Sequence, residues 1–370
     1  MDFTLTDEQQ ALQGLAAQIL TDKGTLLRLK ELDASDDWFD RETWAEFATA
    51  NLLGVAVPEA QGGLGFGFLE LCLVLQEQGR RVVPMPLWAT LAAGALPIAM
   101  FGTDAQRDAH LPGVVAGTTV LTGALEEFGA DPEAPATTAT RNGEGWTITG
   151  VKATVPAAHL AAAVLIPATT PEGIGVFIVD PKGAGVTLGR QDTMSHEPRF
   201  EVTLTDVQVG ADALLGGTLD DGTTLRAILD HATVALCAVS AGCAQEAIRI
   251  AAEHVTNRKQ FDRPLATFQA VGQRMADSFI DTQGMHLTML GAASHLALGE
   301  AAREEVATAK YWAAEGGSRV GFACLHVHGG ISIDVDYPIH RYFLWLKENE
   351  FTLGAATPTL ARLGRMLAAS

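Results

Sequence analysis

Arg258, Gln260 and Gln269 stand close together where one apolar-periodic run ends and the next begins. A guanidinium at a helix end presents a planar fork of donors that suits a pyrophosphate. The plainer reading is a solvated charge drawn to the negative pole of the helix. Phe261 lies between them, as a packing surface for a ligand or as ordinary core. Further along, Gly329-Gly330 would let the backbone approach a ligand closely with N–H groups free for phosphate, or would simply end a helix. His326, three residues before Gly329, retains a hydrogen bond to give. The four cysteines, Cys72, Cys237, Cys243 and Cys324, form no CxxC pair and have no histidines spaced around them for zinc, so no metal site is expected and the thiols read as buried and reduced. The Gly-rich turn Pro58–Gly65 lacks both GxGxxG spacing and a P-loop lysine, so it carries no phosphate role of its own.

These groups need elements to hold them. Thr6-Asp7-Glu8-Gln9 reads as a capping box ahead of a helix through Leu12, Leu15, Ala16 and Ile19. A second helical run covers 68–79, and the apolar stretch 85–101, interrupted by Pro86 and Pro97, reads as a buried helix hairpin, too short for a membrane span. The middle of the chain changes period: 146–150, 162–166, 175–180 and 200–205 are short β-rich runs, which predicts a small sandwich or barrel over 118–217. Long helices then follow at 225–255, 268–298 and 301–320, which predicts a bundle. The fold class is therefore α+β by segregation: an N-terminal helical domain (1–117), a central β-domain (118–217) and a C-terminal four-helix bundle (218–370).

With 370 residues, 48% of them hydrophobic, the chain is long enough for more than one core. A net charge of −19 with no basic stripe argues against nucleic acid as a partner. It also means that an anionic ligand must be met by local arginines or helix N-termini. Met1-Asp2-Phe3-Thr4 has neither a basic start nor an apolar run, so the expected location is the cytoplasm.

Five segments, in order, resemble the acyl-CoA dehydrogenase family. These are the turn Pro58–Gly65, the stretch Asp206-Val207-Gln208-Val209 with Leu214-Leu215-Gly216, the run Arg258–Gln269, the loop His326–Ser332 and Pro338-Ile339-His340-Arg341. The resemblance implies FAD wedged between domains and completed by a neighbouring subunit. It implies α,β-dehydrogenation of an acyl-CoA thioester and reoxidation by an electron-transfer flavoprotein. It assigns FAD contacts to Arg258, Gln260, Phe261, Gln269, His326, Gly329, Gly330 and Thr122, the last beside the flavin ring. The chain departs from the pattern in places. His326 stands where the family has glutamine, Ser332 where it has glycine, and Pro156 where it has a hydrogen-bonding Ser or Thr.

The family's base is a glutamate, and this chain lacks it in both places where the family carries one. Leu353 stands at the first, before Gly354; the second falls in His231–Val239, which holds no carboxylate. Asp230 lies just before that second place and is the candidate base within the chain, against its reading as a helix N-terminal charge. Glu246 is expected to face away, and Glu348 and Glu350 to lie on a solvated helix face. Three readings stay open. One is a subunit of a heteromeric acyl-CoA dehydrogenase whose homologous partner supplies the base, in the style of bacterial steroid degradation. Another is an active homo-oligomer using Asp230. The third is a flavin-dependent oxygenase of the same fold. Small residues over 238–242 leave room for a bulky acyl chain or serve tight helix packing.

Overall fold

The computed structural model describes residues 3–36 and 38–369. Thr6 caps α1 (Asp7–Lys23): its hydroxyl accepts the Gln9 N–H, and the Gln9 side chain accepts the N–H of Thr6, as the sequence predicts. α2 (Leu26–Asp33), α3 (Arg41–Thr49) and α4 (Phe68–Arg81) follow. The segment expected as a hairpin is instead one continuous helix, a π-helix over Trp88–Ala95 running into α5 (Leu96–Phe101). The Leu96 N–H bonds the Leu91 carbonyl in the wide i→i−5 register just before Pro97, whose missing N–H would interrupt an ordinary α ladder. α6 (Asp104–Val115) starts on a second capping box, from Thr103 and Gln106.

The β-region is one seven-stranded sheet. Its strands are β1 (Leu121–Gly123), β2 (Thr138–Asn142), β3 (Gly145–Pro156), β4 (Ala163–Thr170), β5 (Gly173–Val179), β6 (Val186–Gln191) and β7 (Arg199–Val209). The four expected runs fall in β3, β4, β5 and β7. β5 pairs along one edge of β4, while β1 and β2 share its other edge at Ala163–Leu165 and Thr169. Alternate residues of the strands, including Trp146, Ile148, Ile166, Phe177, Val202 and Leu204, form the buried core under this sheet. The β3–β7 ladder slips between Lys152 and Val155, a bulge with consequences for Thr154.

α7 (Thr223–Asn257) is long and apolar enough to cross a membrane by length and composition, yet 89% of its most apolar window is buried within the protein. A two-stranded ribbon, β8 (Lys259–Gln260) and β9 (Arg263–Pro264), leads into α8 (Gln269–Ala297). α9 (Arg303–Tyr311) and α10 (Gly317–His328) are joined by a π-turn over Trp312–Gly316, which carries the expected 301–320 run on to His328. α11 (Ile339–Phe351) and α12 (Ala356–Ala369) complete the chain. Helices, then strands, then helices make this an α+β fold by segregation.

The contacts divide the chain into two compact units, one of residues 1–31, 72–83 and 233–370, the other of 32–71 and 84–232. Within the first, α4 and α7 cross at glycines. A Cβ on Gly242 would come within 1.9 Å of the Gln76 carbonyl oxygen, and one on Gly79 within 2.0 Å of the Val239 carbonyl oxygen. The small residues over 238–242 thus serve tight helix packing; at Gly242 backbone already fills the space.

Candidate functional site

The end of α7 presents an exposed arginine. Arg258 continues the ladder, its N–H bonding the His254 carbonyl, but its exposed guanidinium has no hydrogen bond or ion pair among the described residues. It lines a groove of about 650 Å³ with Arg249, His254, Tyr337 and Tyr342. The other arginines of that groove are engaged: Glu246, only 5% exposed, takes Arg81 at 3.1 Å and Arg249 at 2.8 Å. Glu246 therefore does not face away, as expected, but anchors two guanidinia. Both guanidinia meet the same oxygen, Oε1.

Beyond Arg258 the chain reverses through Gln260-Phe261-Asp262-Arg263. Phe261 and Asp262 both have positive φ, +52° and +63°, the geometry that matches a tight turn to the twist of its strands. The turn carries Phe261 outward, 88% exposed, with its ring 6.3 Å from that of Phe268. Arg263 stacks on Phe268 at 4.0 Å. The Gln260 amide donates to the neighbouring Lys259 carbonyl, and Gln269, at the first position of α8, is exposed.

α10 ends at Gly329 with φ +63° and ψ −141°, a conformation that only glycine adopts readily. A Cβ on Gly329 or Gly330 would meet nothing within 4 Å, so the backbone there stands open to a ligand. The exposed His326 accepts a hydrogen bond at Nδ1 from Arg274, 2.5 Å away, and both line a groove of about 810 Å³ with Arg319, Phe322 and Gly329. Arg274 went unnoticed in the sequence because nothing along the chain links positions 274 and 326. His328 is buried, with its ring stacked on His254.

In the other unit, the Thr122 hydroxyl, expected near a flavin ring, turns inward. Thr122 is 0% exposed and gives its Oγ1–H to the Pro156 carbonyl at 2.8 Å. Thr154, at φ +37° in the β3 bulge, bonds Glu126 at 3.3 Å. Beneath them Lys152, 1% exposed, donates to Glu127 and to the Pro167 carbonyl, both at 2.6 Å. Burial pulls the Lys152 ammonium down to about 8 despite Glu127. Burial also pushes Glu127 up, but hydrogen bonds from Lys152 and Thr137 outweigh it and leave the carboxyl below its ordinary value.

At the place of the missing glutamate, Leu353 is 6% exposed and holds φ +58°, with Gly354 at φ +104°. Lys310, buried in α9, donates to the carbonyls of Asn349 and Glu350 at the end of α11 and so fixes the approach to this turn. Glu348 and Glu350 are half-buried rather than solvated; Lys347 pairs with Glu350 at 2.5 Å while lying against Phe322 and Phe351. Asp230 is half-buried inside α7, two turns from its start. The next residue, His231, is buried with Nδ1 on the Ala227 carbonyl and its ring edge-on to Phe68.

Residues 6–118 match the acyl-CoA dehydrogenase N-terminal domain, and residues 221–367 the acyl-CoA dehydrogenase C-terminal domain. Acyl-CoA dehydrogenase FadE27 of Mycobacterium tuberculosis is 38% identical over 377 residues, covering 100% of this chain and 99% of its own length. The chain belongs to the acyl-CoA dehydrogenase family. Its fold is close to that of a chain in a variant of the Tcur3481-Tcur3483 steroid ACAD, with a TM-score of 0.94 and 46% identity over 99% of each chain. It is equally close to one in the ChsE4-ChsE5 complex of M. tuberculosis, with a TM-score of 0.95 and 37% identity over 100% of each.

Acyl-CoA dehydrogenases are FAD-dependent oxidoreductases, and the residues here fit that cofactor unevenly. The unpaired Arg258 and the open Gly329-Gly330 backbone suit its pyrophosphate. The buried Thr122 hydroxyl gives its proton to the Pro156 carbonyl.

Proposed function

We propose that this chain is the non-catalytic subunit of a heteromeric acyl-CoA dehydrogenase, which acts with a homologous partner that carries the base. The observation that carries the reading is Leu353: the family's turn is kept at positions 353–354, but an alkyl side chain stands where a carboxylate must remove the α proton. The inward hydroxyl of Thr122 supports it from the cofactor side. FAD, when bound, accepts the hydride from the β carbon of the acyl thioester. Arg258 would hold its pyrophosphate, and Gly329 and Gly330 would give it close backbone approach. Gln260, Phe261, Gln269 and His326 border the same ligand, and Thr122 stays a structural residue. The names of similar complexes, a steroid ACAD among them, support a bulky acyl-CoA as substrate and a heterotetramer as assembly. An electron-transfer flavoprotein reoxidises the complex in the cytoplasm.

Expression with and without the homologue tests this. The chain alone should be colourless and inactive, and the co-purified pair yellow and active. In the pair, Arg258→Ala should lower FAD content at least tenfold. A yellow, active chain on its own, with turnover abolished by Asp230→Asn, would return the base to this polypeptide.

A further inference from the structure

Resting on the reading of Arg258 as a cofactor contact, we propose that His254, His328 and Tyr337 form a ring clip. It positions Arg258 against the Gly329-Gly330 turn, and its opening in acid releases FAD.

His254 sits one turn before Arg258 on α7, and His328 is the last residue of α10, directly before Gly329. Their rings stack with centroids 4.3 Å apart and 29° between planes, so one contact joins the two segments that would hold the nucleotide. His328 is fixed at both nitrogens. Nδ1 lies 2.6 Å from the Cys324 carbonyl, which only accepts, so Nδ1 carries the proton. Nε2, 3.1 Å from the Tyr337 hydroxyl, is then the acceptor. Tyr337 also sets its edge against His254 at 6.5 Å. Every ring is oriented by another, and in the neutral form of His328 the Tyr337 hydroxyl donates to Nε2.

The charged and titratable groups around the clip come from each neighbouring segment. Arg249, Glu246 and Glu253 lie on α7 with Arg258 directly after it, Arg81 on α4 and Tyr342 on α11. Asp336, beside Tyr337, is paired with Lys30. Burial lowers the proton affinity of both imidazoles; the facing His328 and then Arg258 lower that of His254 further, while the Cys324 bond opposes the shift at His328. Both imidazoles thus stay neutral to lower pH than a free one, and the clip is closed in that neutral form. A proton on His328 Nε2 reverses its bond with Tyr337, whose hydroxyl must then accept, and sets a charge against the stacked His254 ring. A proton on His254 places a second cation beside Arg258.

The test follows FAD release from the purified yellow protein by flavin fluorescence across a pH series, with thermal melts to confirm folding. His254→Ala should weaken FAD retention roughly three- to tenfold at neutral pH, the size expected for one ring stack. His254→Phe, which keeps a ring and removes the proton site, should match the wild type at neutral pH and move acid release to lower pH. Wild-type retention in His254→Ala, or release from His254→Phe at the wild-type pH, overturns the clip. If His254→Ala does not fold, the His254→Phe profile decides alone. Arg258→Ala separates the two levels. Retention of FAD by that variant sinks the underlying reading, whereas loss there with no effect of His254→Ala sinks only the clip.

Discussion

Lys152 shows how a residue with a reactive reputation is absorbed into the fold. Its ammonium is sealed under the sheet and held by Glu127, which in turn accepts the N–H groups of Ala136 and Thr137 and so ties the preceding loop to β3. Removing one partner of such a pair leaves the other charge buried and alone. Lys152→Met should therefore cost about 3–5 kcal/mol in urea unfolding. The pH dependence has a definite sign. Lys152 in the folded chain loses its proton near 8, below the unfolded value, so between about pH 8 and 10 the unfolded state binds more protons and this group's contribution to stability rises with pH. The stability gap between wild type and Lys152→Met should widen across that window. A constant or narrowing gap would mean that the ammonium is not desolvated as the geometry shows. Glu127, held below its ordinary value, stabilises at neutral pH and loses that contribution only as pH falls through its lowered pKa.

At the scale of elements, the ribbon β8–β9 carries its own conflict. Phe261 occupies the left-handed region, which costs an ordinary L-residue roughly 1–2 kcal/mol, and it exposes 88% of its surface. Its ring meets the edge of Phe268, but most of its surface is left bare, which is expected of a residue kept for a contact outside the chain. Phe261→Asn, which tolerates that backbone, should raise the melting temperature of the chain alone by a few degrees and lower FAD retention in the assembled protein. Movement of both readouts in the same direction would show that Phe261 serves only the local turn. The Gly79–Gly242 crossing is the opposite case, a demanding feature with an internal reason: carbonyl oxygens about 2 Å from where a Cβ would sit leave no alternative to glycine.

For the whole molecule, the issue is what covers the apolar side chains left outside. Ile331, Ile333 and Val335 follow directly on the Gly329-Gly330 turn and are 41%, 82% and 63% exposed. Three aliphatic side chains in a row beside a cofactor turn are what a subunit interface needs. Ile333→Asp should leave the melting temperature of the isolated chain within a degree or two. It should also weaken co-purification of the partner at least tenfold, read by size-exclusion and flavin absorbance of the pair. An undiminished complex would place the partner elsewhere on the surface.

The amino-acid sequence by itself set the order helix–strand–helix, because the apolar period changes from 3.6 to 2 and back and nearest neighbours along the chain suffice to show it. It also set the capping box at Thr6, the loss of a glutamate at 353 and the cluster around Arg258, all of them local patterns. Only the tertiary structure decided which polar groups were already taken. Arg81 and Arg249 go to Glu246, Thr122 goes to Pro156, and the Arg258 guanidinium has no hydrogen bond or ion pair among the described residues. Each of those bonds except the one between Glu246 and Arg249 joins residues far apart in sequence, and periodicity does not encode such pairs. The same holds for the stack of His254 on His328 and for the helix crossing at Gly242, where a contact between distant backbones turned an ambiguous run of small residues into a packing seam.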